Sequence, residues 1–139
     1  METIAAALLA WIVTKTGLAA PPLPPIVLMP QYRLVQVAFG PFPPAMTRVR
    51  ALYDRKTGVI YIRDNWNSSE LMDRSELLHE LVHHVQSADN VPASCANVHE
   101  GQAIRLQLEW LRDQGVQDPY KFLNINELYV MLVSTCHDE

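Results

Sequence analysis

The stretch Leu77-Leu78-His79-Glu80-Leu81-Val82-His83-His84-Val85-Gln86 constrains this chain more than any other. Leu78, Leu81, Val82 and Val85 recur at i, i+3, i+4 and i+7, the pattern of a helix that buries one face. His79 and His83 then stand one turn apart on the same side of that helix, where two imidazoles can grip one metal ion. Glu80 projects roughly 100° round the helix from His79, beside such an ion rather than onto it, where a general base for a water molecule belongs. The plainer reading is a solvated His/Glu face on an ordinary amphipathic helix. The apolar stripe bordering both histidines favours the site.

With 139 residues, 49% hydrophobic and 19% charged, residues 1–139 read as one compact domain with a sizeable core. A net charge of −4 and no cluster of Lys or Arg argue against nucleic acid as a partner. Met1 to Val13 is apolar, but it carries Glu2 where an export signal wants a cation, and it is far shorter than the ~20 apolar residues that span a bilayer. It reads as a core helix that ends near Lys15 and Gly17, with no membrane span expected. Cys95 and Cys136 lack the short paired spacing of a thiolate zinc site. They form either one disulfide or two buried thiols; packing of a helix starting near Cys95 against one ending near Cys136 would join them. The expected home is cytoplasmic if the chain is complete, and periplasmic or secreted if an export signal was removed and the cysteines are bridged.

Along the chain, Pro21-Pro22-Leu23-Pro24-Pro25 is a stiff extended connector, and Ile26-Val27-Leu28-Met29 a short buried strand stopped by Pro30. Within Pro30 to Phe39, Leu34-Val35-Gln36-Val37 could alternate as a strand, but the proline at the start and Gly40 just past the end favour a short helix, and Pro41, Pro43 and Pro44 make a loop. Val49 to Asp54 and Gly58 to Asp64 form a hairpin across Arg55-Lys56-Thr57-Gly58. The second strand, nearly all apolar or aromatic, is expected to be covered on both faces. Asp73, with Glu76 three residues on, offers a capping box for the histidine helix. A second long helix is expected over 94–114, stopped by Gly115, and a last one over 126–135, capped by Asn124 or Asn126 and packing through Leu128, Met131, Leu132 and Thr135.

The second long helix carries two glutamates. Ala103, Ile104, Gln107, Trp110 and Leu111 fall within about a quarter turn of Glu100, whereas Glu109 projects from the opposite side. Glu100 is thus a carboxylate on the apolar face, costing several kcal/mol unless it is paired or bound to a cation. An ion held by His79 and His83 would satisfy it. A helix-start role within Asn97-Val98-His99-Glu100 is the alternative.

The His79-Glu80-Leu81-Val82-His83 segment resembles the active-site helix of HExxH zinc metallopeptidases, and Glu100-Gly101-Gln102-Ala103 is similar to the Glu-x-x-Ala arrangement of their gluzincin branch. The resemblance covers Val49 to about Leu111 and looks closest to small, single-domain gluzincin-like proteins. It implies Zn2+ on His79, His83 and Glu100, Glu80 as general base, and hydrolysis of a peptide bond in a peptide or protein substrate. It implies too an α+β, zincin-like fold with a short, mostly antiparallel sheet on the two site helices. Val59, Ile60, Tyr61, Ile62 and Arg63, as an unpaired sheet edge, would bind the substrate main chain to main chain. No motif identifies the residue that steadies the tetrahedral intermediate; Tyr120, Tyr129, His99 and His137 are candidates. The rival reading is a non-catalytic binding or regulatory module with a structural zinc, which retention of Glu80 disfavours.

Overall fold

A computed structural model describes residues 1–43 and 49–137, so Pro44 of the expected loop lies outside the described residues. The fold is α+β: six helices and a three-stranded sheet among the described residues. Helix α1 (Glu2–Thr16) ends as its sequence implies, Gly17 adopting φ 72° and its N–H returning to the Val13 carbonyl. Its Ala5, Leu8, Leu9 and Ile12 enter the core, while Trp11 and Lys15 bond to Asp113 and Glu109. No described helix is long and apolar enough to cross a membrane.

The proline connector leads into β1 (Ile26–Met29), and Pro30 caps α2 (Gln31–Phe39), which Gly40 closes. The hairpin follows as β2 (Ala51–Asp54) and β3 (Val59–Arg63), with Gly58 in the left-handed region at φ 74°. The strand order is β1-β3-β2. β3 pairs parallel with β1, Ile26 opposite Ile60, and antiparallel with β2, Tyr53 opposite Ile60. The sheet is therefore mixed rather than mostly antiparallel.

This order corrects the expected role of β3. Val59, Ile60, Tyr61, Ile62 and Arg63 form the middle strand, with both edges in ladders, and the edges belong to β1 and β2. Ile60 and Ile62 are fully buried, but Val59, Tyr61 and Arg63 are only half-buried, so one face alone is completely covered. β1 is no buried strand either: at the edge, its Val27 and Leu28 are exposed.

Helix α3 (Leu71–Ala88) fills the centre, with Leu77, Leu78 and Leu81 fully buried against α1, the sheet and α4 (Ala96–Asp113). The expected capping box is not made. Glu70 holds the cap position, and Asp73, inside the first turn, accepts from the Asn67 N–H at 2.9 Å and from Arg50 Nη2 at 2.7 Å. Glu76 meets Arg50 Nε at 2.5 Å. Arg50 thus ties the chain just before β2 to the start of α3, a long-range pairing that local patterning does not encode.

After α4 come α5 (Pro119–Leu123) and α6 (Glu127–Ser134). Asn126 caps α6, its side-chain oxygen accepting from the Tyr129 N–H at 2.8 Å. The expected packing stripe is reversed. Leu128, Met131 and Leu132 are 59, 53 and 47% exposed, and Val130 packs on Ile104 and Leu108 of α4. Cys95 and Cys136 are joined in a disulfide that fastens the second residue after α6 to the cap of α4.

Candidate metal centre

Two adjacent helices assemble the site. α3 carries His79 and His83 one turn apart, their ring centroids 5.0 Å from each other, and α4 packs across them with Glu100 in its second turn. Glu100 Oε1 lies 3.0 Å from His79 Nε2, and Oε2 lies 3.0 Å from His83 Nε2. One ligand atom from each of the three residues fits within 4.8 Å of the others, a group that could hold a metal ion. Glu100 itself is half-exposed rather than buried, while Glu109 points away to Lys15 at 3.1 Å.

Behind the imidazoles stand two glutamines. His79 Nδ1–H donates to Gln107 Oε1 at 2.9 Å, and His83 Nδ1–H donates to Gln86 Oε1 at 2.8 Å. Each amide is itself held, Gln107 donating to Ser75 Oγ and Gln86 to the His99 carbonyl and Gln102 Oε1. These partners fix the tautomer and leave both Nε2 atoms facing Glu100, the arrangement that outer-shell groups impose on metal-binding histidines. With Nδ1 already protonated, an Nε2 set against a carboxylate must carry either a proton or a cation. The donor set, two imidazoles and one carboxylate, therefore fits a metal ion.

Charge follows from this geometry. Burial works against the imidazolium of His79, but Glu100 and Glu80 beside it outweigh that and raise it to about 9. Burial likewise favours protonation of Glu100, yet hydrogen bonds from His79 and His83 hold its carboxyl well below the usual carboxylate range. His79 binds its proton more tightly folded than unfolded, so without metal its contribution to stability is complete below about 6.5 and is lost as pH rises to about 9. Thermal unfolding in the presence of a chelator is expected to show a melting temperature that falls across that window. A flat profile there would remove the His79–Glu100 ion pair from the stability of the metal-free protein.

Glu80 is buried, one oxygen accepting the Tyr53 N–H of β2 at 3.1 Å. It lines, with His79 and Glu100, a cavity of about 570 Å³. Val49 and Arg50, just before β2, and Ala51, its first residue, line it from the strand, and Leu123, Ile125 and Tyr129 line it from the α5–α6 region. Among the described residues, none of Val59 to Arg63 lines it, so the strand beside the site is β2.

Of the four candidates for a further polar group, Tyr129 alone lines the cavity, where it is exposed rather than in the core. Tyr120 stacks near Arg112, His99 Nε2 donates to the Val91 carbonyl, and His137 Nε2 donates to the Leu132 carbonyl. His84 is also engaged elsewhere, Nε2 donating to the Pro22 carbonyl and Nδ1 accepting from the Tyr53 hydroxyl. Sequence reasoning missed Gln86, Gln107 and Arg50 as parts of the site. The signal for the glutamines was present: Gln86 is one turn beyond His83, and Gln107 is two turns beyond Glu100 on the same face.

Fold and site together define an α+β domain with a two-histidine, one-glutamate group able to hold a metal ion, two of whose members, His79 and Glu100, line a cavity. The chain belongs to the family described as a domain of unknown function, DUF6647, whose profile matches residues 1–139. No curated protein and no solved structure matches it.

Proposed function

We propose that the chain is a zinc-dependent peptide hydrolase of the gluzincin kind, with a zincin-like arrangement of sheet and site helices. The observation that carries this reading is the convergence of His79, His83 and Glu100, with His79 and Glu100 lining a cavity that Glu80 also lines. A structural zinc needs ligands but not a carboxylate beside them. His79, His83 and Glu100 would hold the ion, oriented by Gln107 and Gln86. Zinc so bound supplies Lewis acidity towards a carbonyl oxygen and lowers the pKa of water.

The remaining work falls to the chain's own groups. Glu80, steadied through one oxygen by the Tyr53 amide, uses the other to take a proton from the attacking water and later delivers it to the leaving amine. The start of β2 runs along the cavity, so an extended peptide would lie beside Val49, Arg50 and Ala51, the part first expected of β3.

Metal analysis tests the first half of the reading. Purified protein is expected to carry about one equivalent of zinc, held by three protein ligands. His83→Ala should lose it, and Glu109→Gln, whose carboxylate meets Lys15, should keep it. Retention of zinc by His83→Ala would overturn the ligand set. Zinc retained by the wild type without hydrolysis of any peptide would favour the binding-module reading.

A further inference from the structure

Helix α6 is held in place more firmly than its own burial requires. Val130 is its one buried side chain, and Leu128, Met131 and Leu132 face outward. Three separate ties nonetheless fasten its end to the start of α4. The Cys95–Cys136 disulfide is one, and the Asn97 amide donating to the Thr135 carbonyl at 2.9 Å is another. The third is the approach of Gly101 to Ser134, so close that any Cβ at 101 would overlap the Ser134 side chain and press on its backbone. What this placement brings to the site is Ile125 and Tyr129. Both line the cavity that contains Glu80 and Glu100, and both also line a second cavity of about 460 Å³ completed by Asn124 and Asn126.

We infer that the α5–α6 turn is the substrate-recognition wall. Ile125 and Tyr129 seat one apolar side chain beside the scissile bond, and Asn124 and Asn126 take the main chain beyond it. The inference rests on the peptidase reading and narrows its substrate class to an extended peptide of several residues, gripped away from its ends. Two spaces sharing one wall suit a chain that passes over Tyr129 from one into the other. Arg50, a cation that also lines the larger cavity, is committed to Asp73 and Glu76 and is not placed to hold a terminal carboxylate.

The test uses zinc-loaded, disulfide-bonded full chain and peptides acetylated and amidated at their ends, three or eight residues long, with an apolar or a polar central residue. The apolar octamer is expected to be cut internally, with kcat/KM at least about tenfold above that of the trimer. Tyr129→Ala should abolish that preference through KM with zinc content unchanged, and Tyr129→Phe should restore it. A Tyr129→Phe variant whose kcat collapses at unaltered KM would overturn the wall, placing the hydroxyl at the reacting carbonyl instead. Binding of the octamer to Glu80→Gln, followed by fluorescence anisotropy, separates the two readings. Binding that Tyr129→Ala weakens about tenfold upholds the wall even if the wild type cuts nothing, in which case the peptidase reading falls. Equal cutting of trimer and octamer, indifferent to Tyr129→Ala, overturns the wall and leaves the peptidase reading standing.

Discussion

Glu80→Gln is expected to lower peptide hydrolysis by about 10²–10⁴-fold while zinc content and melting temperature stay at wild-type values. The substitution keeps the shape of the side chain and the oxygen that accepts the Tyr53 N–H, so the contact between α3 and β2 survives. It removes the carboxylate charge and with it the ability to take up a proton. His79, His83 and Glu100 are untouched, and the glutamines behind the imidazoles keep their hydrogen bonds to His79 and His83. The loss should therefore appear in kcat, measured on a peptide pool by mass spectrometry with metal determined on the same sample. A loss smaller than about tenfold would remove Glu80 from the base role. Equal cleavage by both proteins would trace the activity to a contaminant.

The second large effect is on stability. Replacing Cys95 and Cys136 together by alanine opens a loop closed across 41 residues, which in the chain-entropy account costs about 4 kcal/mol. The cost should be felt locally first. α6 buries only Val130, worth roughly 1.5–3 kcal/mol, and without the bridge that burial, the Asn97–Thr135 hydrogen bond and the Gly101–Ser134 packing must hold the helix against α4. Urea denaturation of the double variant is expected to show a lower midpoint, with amide exchange rising first in α5 and α6 while α3 stays protected. Metal content should persist, since both histidines and Glu100 sit on helices that the bridge does not hold together. An unfolding free energy within about 0.5 kcal/mol of wild type would show that the bridge adds nothing to the folded state.

What could be read from the sequence was whatever a single helix or turn decides. The i, i+4 histidines, the face on which Glu100 lies, Gly17 ending α1 and the Gly58 turn all depend on residues close in the chain, and the structure places each where its spacing implies. Pairings between distant segments were not legible. The parallel ladder joining Ile26 to Ile60 decides that β3 is interior, and nothing local to Val59–Arg63 announces a partner 34 positions earlier. Arg50 draws Asp73 and Glu76 away from a local cap for the same reason. Helix α6 failed differently. Leu128, Tyr129, Val130, Met131, Leu132 and Val133 make it apolar on every side, so periodicity selects no face, and contact with Ile104 and Leu108 chose Val130.

The outer strand β1 has a consequence for how this molecule behaves in company. It is four residues long, its Val27 and Leu28 are exposed, and Pro24-Pro25 precede it while Pro30 follows. A bare apolar edge of this kind would ordinarily template the stacking of one copy on the next. Prolines at both ends remove amide hydrogens and stop a foreign ladder after a few residues, the usual guard against edge-to-edge aggregation. Sheet growth is thereby discouraged on the side away from the metal centre. At the other edge, β2 begins on the cavity wall, so a strand arriving there meets the site rather than a stack of neighbours.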